Sequence, residues 1–334
     1  MKFFNKIDTV GKVLKAIAFK KRFPLVATWN ITYKCNLHCG YCGAPQCRIP
    51  ELETAKVLGV IDELKSLGTR FMKFSGGEPL LRDDFPEIID FCKSRGMDVL
   101  INSNGVVFKD KFRLVKNNID EVQFSLDGEK EVHDKIRGQG VYDKVIESIE
   151  LCKIHNINVF LNTVISKYNL NSIDHILKIT NKYNIGVYFQ PADQLYSTHS
   201  NKDIHSLFSP KEKDYKQIIK LIMTEKKKGN KSISNSLTGL NHLYKWPAPV
   251  KVYCLEYLLG CLIEPDGSVF VCNMFADYQK YLVPFYGNFR DSYRQVKLPH
   301  VCNCCYCGSE VELQLLKKMD PKAMWGIWSR FSRQ

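Results

Sequence analysis

The sequence lacks any apolar run approaching the roughly 18 residues that a membrane-spanning helix needs. Its N-terminus also lacks the apolar core and the small-residue cleavage site of a secretory signal. No collagen-like or low-complexity segment is present. These absences argue against a transmembrane, secreted or fibrous protein. We therefore predict a cytoplasmic protein, in which cysteine thiols are kept reduced.

The sequence has few aromatic residues between its many lysines. The formal net charge of +13 suggests an anionic partner. This scarcity argues against nucleic acid as the partner. Residues 2–22 are more specific, because apolar residues recur there at helical spacing and basic residues fill most other positions. The segment predicts a basic amphipathic helix that either lies on the inner membrane surface or packs on the protein itself.

Thirteen cysteines are many for a cytoplasmic chain, and their clustering indicates metal ligands rather than disulfides. Cys35, Cys39 and Cys42 have the spacing C-x3-C-x2-C, and no fourth ligand of comparable quality lies at a matching distance. Spacing alone leaves open half of a zinc site, part of a disulfide framework, or the ligands of an iron–sulfur cluster. A second group lies near the end of the chain: Cys254, Cys261, Cys272, Cys302, Cys304, Cys305 and Cys307.

Six short apolar, β-rich runs alternate with helical patterns between residues 25 and 192. This alternation predicts an α/β fold with a parallel sheet covered by helices, whose strand ends carry the chemistry. Further along, Asp266-Gly267 predicts the turn of a hairpin. We expect five segments: an amphipathic helix (1–24), the strand–helix domain (25–192), a bridge (193–250), a cysteine-rich domain (251–311) and a C-terminal helix (312–334).

The first cysteine group, with Tyr41 at the aromatic place of C-x3-C-x-aromatic-C, resembles the signature of radical S-adenosylmethionine (radical SAM) enzymes. The resemblance covers roughly residues 25–192 and implies a partial (β/α)6 TIM-like barrel. It implies that Cys35, Cys39 and Cys42 hold a [4Fe–4S] cluster whose open iron binds S-adenosylmethionine. Reductive cleavage then gives a 5′-deoxyadenosyl radical, which removes a hydrogen atom from an unactivated carbon. The electron comes from an external reductant of the flavodoxin or ferredoxin type.

The run "SGGEP" at 75–79 resembles the glycine-rich motif that follows the second strand in this family. The resemblance implies that Gly76 and Gly77 let the backbone approach the cofactor. Backbone carbonyls and Glu78 would then receive the ammonium group of the bound methionine, and Pro79 completes the motif.

Polar side chains at later strand ends are also implied to contact the cofactor or the substrate. "NSNG" at 102–105 and the fifth strand lie where relatives contact the ribose, and "SLDG" at 125–128 faces cofactor or substrate. An arginine in "HDKIRG" is placed to pair with the methionine carboxylate through a bidentate fork. The expected contacts are Ser103, Asn104, Ser125, Asp127, Arg137 and Asn162.

The C-terminal cysteines resemble the SPASM or twitch extension of these enzymes, in which a hairpin supplies two ligands of an auxiliary [4Fe–4S] cluster. Here Cys254 and Cys272 match the hairpin ligands. Because C-x2-C occurs in two overlapping frames among Cys302, Cys304, Cys305 and Cys307, the remaining pair stays open. A zinc knuckle is the alternative. Cys261 is a spare thiol, either buried or a hydrogen-atom donor.

Our leading hypothesis is a radical SAM enzyme that acts on a lipid-like, sugar or other small molecule. Only about 24 residues precede the first strand, where peptide-modifying relatives often carry a leader-binding domain. One alternative is a peptide-modifying radical SAM maturase that acts with a partner protein. A more distant alternative is a zinc-stabilised nucleic-acid-binding protein. The sequence does not choose among oxidation, epimerisation and group transfer.

Overall fold

The computed structural model describes residue 11 and residues 13–192, 207–250, 254–272, 278–298 and 305–315. Its central sheet has the strand order β6-β5-β4-β3-β2-β1-β7-β8. The first six strands pair in parallel with their neighbours, as the strand–helix alternation predicts. They are β1 (Val26–Thr32), β2 (Phe71–Gly76), β3 (Asp98–Ser103), β4 (Glu121–Ser125), β5 (Asn158–Ile165) and β6 (Gly186–Pro191).

Helices follow the strands and cover the outer face of the sheet, where Trp29, Phe74 and Phe124 are fully buried. Phe74 meets Phe85 edge to face, with 5.3 Å between ring centroids. The helices are α1 (13–19), α2 (Thr54–Leu67), α3 (Phe85–Ser94), α4 (Phe108–Val115), α5 (Lys130–Arg137), α6 (Val141–Ile154), α7 (Ile173–Tyr183), α8 (Glu212–Lys227), α9 (Leu237–Leu243), α10 (Glu256–Leu259), α11 (Phe289–Gln295) and α12 (Gly308–Leu315).

The inner face of the sheet is polar, unlike the interior of a closed TIM barrel, which branched apolar side chains fill. The sheet curls into a partial barrel, because residues of β1 and of β6 line the same cavity. One side chain from each of the six strands forms what we call the polar ring: Asn30, Ser75, Asn102, Gln123, Asn162 and Gln190. The predicted α/β partial barrel is confirmed, and its polar interior leaves room for a ligand.

The predicted hairpin forms, with β7 (Gly260–Ile263) antiparallel to β8 (Val269–Phe270). Gly267 has a φ of +83° at the turn, and the Asp266 side chain accepts a hydrogen bond from the Ser268 backbone N–H. The hairpin extends the barrel sheet, because β7 pairs in parallel with β1. The division of the chain into five segments stays a prediction.

Helix α1 packs against the N-terminal end of the barrel. Ala16 is buried there with Leu25, Phe71 and Leu258, and Ile17 packs on the same cluster. The described part of the amphipathic segment therefore packs on the protein itself, whereas residues 2–10 lie outside the described residues. None of the helices in the described part of the chain has the length and hydropathy to cross a bilayer.

Candidate active site

A cavity of about 310 Å³ lies at the C-terminal ends of the parallel strands. It brings together most of the side chains that the sequence singled out, although they are spread along the chain from Cys35 to Asn162. Glu78, Pro79 and Asp127 are the predicted contacts that do not line it. The predicted residues that line it are Cys35, Cys39, Tyr41, Cys42, Gly76, Gly77, Ser103, Asn104, Ser125, Arg137 and Asn162.

The three clustered cysteines are free and half-buried at the wall of this cavity. Burial raises the pKa of the Cys35 thiol to about 11 and also raises that of Cys39. The Cys35 and Cys39 thiols are therefore protonated at neutral pH in the free protein, and binding of a metal centre would release their protons.

The donor set fits an iron–sulfur cluster better than a single metal ion. Among the described residues, no three His, Cys, Asp or Glu side chains gather around one point as a single ion requires. A zinc ion needs its thiolates within about 2.3 Å of one centre. A [4Fe–4S] cluster instead binds each thiolate through a different iron, so its ligands stand further apart. The described cavity lining contains no further cysteine or histidine, which would leave one iron open.

The glycine pair is dictated by the close packing of two backbone turns. Gly76 has a φ of +118°, and a Cβ atom there would lie 2.2 Å from the backbone oxygen of Thr32. A Cβ atom at Gly77 would lie 2.8 Å from the backbone oxygen of Tyr33. Only glycine fits both positions. The "SGGEP" turn is thereby held against the loop that carries the first cysteine.

Glu78 lies behind the cavity wall rather than in it. Its fully buried carboxylate accepts hydrogen bonds from the Ser103 hydroxyl at 3.0 and 3.1 Å and from the Asn104 backbone N–H at 2.8 Å. Burial raises the pKa of Glu78 to about 7, although these bonds act in the opposite direction. The carboxylate thus ties "SGGEP" to "NSNG", and its contact with a methionine ammonium stays a prediction.

Asn104 has a role that the sequence did not indicate. Its side-chain Nδ2 donates to Asn36 Oδ1 at 2.8 Å and lies 3.7 Å from the Cys35 sulfur. Its Oδ1 accepts from the Val106 backbone N–H at 3.0 Å. The amide is fixed from both sides, so it orients the thiol that it contacts.

Asp127 does not line the cavity, whereas Ser125 does. Its carboxylate accepts from Arg137 Nε at 2.7 Å, from the Val164 backbone N–H at 3.1 Å and from the Tyr41 hydroxyl at 3.3 Å. Burial opposes a charge on Arg137, but Asp127 first, and then Tyr41 and Cys39, together more than offset this and hold the pKa of Arg137 well above its ordinary value. Arg137 therefore brings a fixed positive charge to the cavity wall, which suits a carboxylate ligand.

His133 fixes the other side of the same loop. Its Nδ1 accepts a hydrogen bond from the Asp127 backbone N–H at 3.1 Å. Burial, followed by the nearby Arg137 charge, lowers the pKa of His133 to about 4, so the ring is neutral. The histidine holds the turn that presents Asp127 and does not line the cavity.

A lower chamber of about 190 Å³ continues inward from the main cavity. The two share the whole polar ring, and the lower chamber also reaches Lys73, Glu256, Cys272 and Cys307. Asn162 is the one member of the polar ring that the sequence predicts as a contact. Among the other members, Asn30 and Gln190 alternate with buried apolar neighbours along their strands, which is the signal that could have indicated them.

The second cysteine group is only partly described. Cys254 and Cys272 are half-buried, Cys305 is buried, and the Cys307 sulfur lies 3.4 Å from Gln190 Oε1. Cys302 and Cys304 lie outside the described residues, so the choice of frame stays open. Cys261 is completely buried in the apolar core, and burial raises the pKa of its thiol. It lines neither cavity, so the described structure gives it no access to act as a hydrogen-atom donor.

A family model described as the radical SAM superfamily matches residues 29–179. The match begins in β1, ends in α7 and includes the three cysteines and every glycine-rich turn described above. The chain contains a radical SAM domain. It is an enzyme of the class that uses a [4Fe–4S] cluster and S-adenosylmethionine.

Among curated proteins, the chain is 27% identical over 305 residues to the mycofactocin maturase MftC of Mycolicibacterium smegmatis. The aligned region covers 85% of this chain and 76% of that protein. It is 25% identical over 293 residues to an AdoMet-dependent heme synthase of Methanosarcina barkeri, with 80% of each chain covered. Among solved structures, Streptococcus suis SuiB bound to the precursor peptide SuiA matches with a TM-score of 0.66 at 15% identity. The match covers 96% of this chain and 79% of that one. At that identity the likeness shows the fold alone.

Proposed function

We propose that this chain is a peptide-modifying radical SAM enzyme that holds one peptide side chain between its S-adenosylmethionine site and an auxiliary [4Fe–4S] cluster. The supporting observation is the continuity of the two cavities. The polar ring lines both, with Cys35, Cys39 and Cys42 in the upper cavity and Cys272 and Cys307 at the lower chamber. A group in the ring lies between the two proposed metal centres.

The size of the lower chamber favours an amino-acid side chain over a large small molecule. Its volume of about 190 Å³ is below the roughly 300–1,000 Å³ of pockets that enclose whole ligands. Its amide and hydroxyl groups can hydrogen-bond a peptide backbone or a polar side chain. A peptide can also place one residue in the barrel while the rest stays outside, which a compact tetrapyrrole cannot do.

The relatives support the same choice. One is called a maturase, and one solved structure of the same fold holds a precursor peptide. The expectation of a lipid-like or sugar substrate rested on the short segment before the first strand, which is a weaker argument. We therefore prefer the peptide-modifying alternative.

The described residues would have the following roles in this reaction. When bound, the cluster and S-adenosylmethionine supply a radical that can take a hydrogen atom from carbon. Arg137 would hold the methionine carboxylate, Gly76 and Gly77 would admit the cofactor close to the backbone, and Asn104 would orient the Cys35 thiolate. Helices α1 and α10 close the barrel floor with apolar side chains and so exclude water.

Co-expression with a peptide encoded beside the gene for this chain tests the proposal. We expect a mass change in the peptide together with stoichiometric 5′-deoxyadenosine, both lost in Cys39→Ala. Cys152→Ala is the matched control, because this buried cysteine of α6 lines neither the cavity nor the lower chamber. An unmodified peptide despite active cleavage of S-adenosylmethionine would contradict the substrate class.

A tetrapyrrole substrate is the second candidate, since the heme synthase relative aligns over 80% of both chains. Incubation with an iron porphyrin precursor under reducing conditions separates the two candidates. A change in the absorption spectrum of the porphyrin, in the absence of any peptide, would show that it is converted and would favour the small-molecule function.

A further inference from the structure

A cleft of about 490 Å³ opens beside the first cysteine and is distinct from the two cavities of the barrel. It is lined by residues of the stretches 33–38 and 45–51, with Leu81. Tyr33 and Cys35 line both this cleft and the main cavity, whereas Cys39 and Cys42 line the main cavity alone. Of the three predicted cluster ligands, Cys35 is thus the one with a route to the protein surface at the cleft.

The rim of this cleft is basic. Lys34, His38 and Arg48 are exposed, and the Lys34 side chain is 68% accessible. Arg48 is held in place, because its guanidinium donates to the backbone oxygens of Pro45 at 2.8 Å and Cys47 at 3.0 Å. A positive rim attracts an anionic partner and orients it during encounter.

The single acidic side chain among the described residues of the cleft is already engaged. Glu51 Oε1 accepts from the Thr32 hydroxyl at 2.7 Å and lies 3.5 Å from Lys34 Nζ. The Glu51 carboxylate therefore already interacts with Thr32 and Lys34 at the inner edge of the cleft. The net charge of the exposed rim stays positive.

Cleavage of S-adenosylmethionine consumes one electron, which has to enter from outside. We propose that this cleft is the docking surface for an acidic one-electron carrier protein, whose carboxylates contact Lys34, His38 and Arg48. The carrier becomes oxidised by one electron, and that electron is the one the cleavage consumes. The cleft suits this task because the main cavity is filled by cofactor and substrate during turnover. Complexes of this kind are small and depend on charge.

The proposal rests on the radical SAM activity of the chain, so the test uses two reductants. One is reduced flavodoxin, an acidic protein, and the other is reduced methyl viologen, a small cation that needs no docking surface. 5′-Deoxyadenosine formation is measured for the reconstituted wild type, for Lys34→Glu/Arg48→Glu and for Lys228→Glu. Lys228 is a matched control: it is 67% exposed, pairs with Glu225 at 2.8 Å, and follows α8 near the start of β6, at the opposite end of the barrel.

We expect the double variant to need roughly tenfold more flavodoxin for the half-maximal rate, because two attractive contacts become repulsive. Its rate with reduced methyl viologen and its iron content should match the wild type. The wild-type rate with flavodoxin should fall as ionic strength rises, and this dependence should weaken in the double variant. Lys228→Glu should behave like the wild type with both reductants.

An unchanged response of the double variant to flavodoxin would overturn the docking assignment. So would an equal loss in Lys228→Glu, which would indicate net charge alone, or an equal loss with both reductants, which would indicate damage to the cofactor site. Absence of 5′-deoxyadenosine from the wild type with reduced methyl viologen would refute the radical SAM activity itself, and the docking proposal with it.

Discussion

Removal of the Asp127 carboxylate should leave Arg137 charged, buried and without a partner. The side chains of Arg137 and Asp127 are only 8% and 1% exposed, and Nε lies 2.7 Å from Oδ2. Breaking a buried ion pair by removing one partner costs about 3–5 kcal/mol, because the other charge stays desolvated. Asp127→Ala also leaves the Tyr41 hydroxyl and the Val164 N–H without this acceptor. We therefore expect a loss of unfolding free energy near the upper end of that range.

Urea unfolding of the chain, followed by circular dichroism, measures this loss. The matched control is Asp62→Ala, which removes an Arg–Asp pair with Arg95 at 2.5 Å whose side chains are 50% and 39% exposed. Exposed pairs contribute only about 0.2–1 kcal/mol. Asp127→Ala/Arg137→Met should recover part of the stability, since no charge is left buried. The reasoning is refuted if Asp127→Ala costs no more than Asp62→Ala.

Three further predictions follow from individual residues. Gly76→Ala should abolish iron binding, because the added Cβ atom would lie only 2.2 Å from the Thr32 backbone oxygen. Gly229→Ala is the control and should bind iron normally, because Gly229 also has a positive φ of +95° but has open space around it. Equal iron contents in the two variants would contradict this. Cys307→Ala should lower the iron content by about half if it ligates the auxiliary cluster, and Cys47→Ala should not. Burial raises the pKa of Glu264 from 4.5 to about 7, so the folded chain binds the extra proton between these values and its stability should decline as pH rises from 5 to 7.5. Glu264→Gln should reduce this slope without abolishing it, because burial raises the pKa of Glu78 to about 7 as well; an unchanged slope would count against the buried proton.

The sequence predicts the strand ends well because local chemistry decides them. The cysteine spacing, the glycine pair and the six β-rich runs each depend on short segments, and the structure brings them to one cavity. The hairpin turn at Asp266-Gly267 is equally local. Its attachment to β1 joins residues more than 230 positions apart, which no local pattern indicates.

The side-chain partners at the site depend on long-range packing and were harder to predict. Because successive strand residues alternate between the two faces of a sheet, the spacing of Ser125 and Asp127 predicts side chains on the same side. Strand β4 ends at Ser125, so the alternation no longer governs Asp127, which turns to Arg137 instead. Likewise, Glu78 is held by Ser103, a contact between two loops that only the folded sheet brings together.

The central claim is that three cysteines support reductive cleavage of S-adenosylmethionine beside a second cluster. Anaerobic reconstitution followed by iron analysis and a 5′-deoxyadenosine assay tests it most directly. We predict about eight irons per chain and 5′-deoxyadenosine formation on reduction, with cleavage abolished in Cys39→Ala. Cleavage by Cys39→Ala at the wild-type rate, or a wild type that binds no iron, would contradict the account.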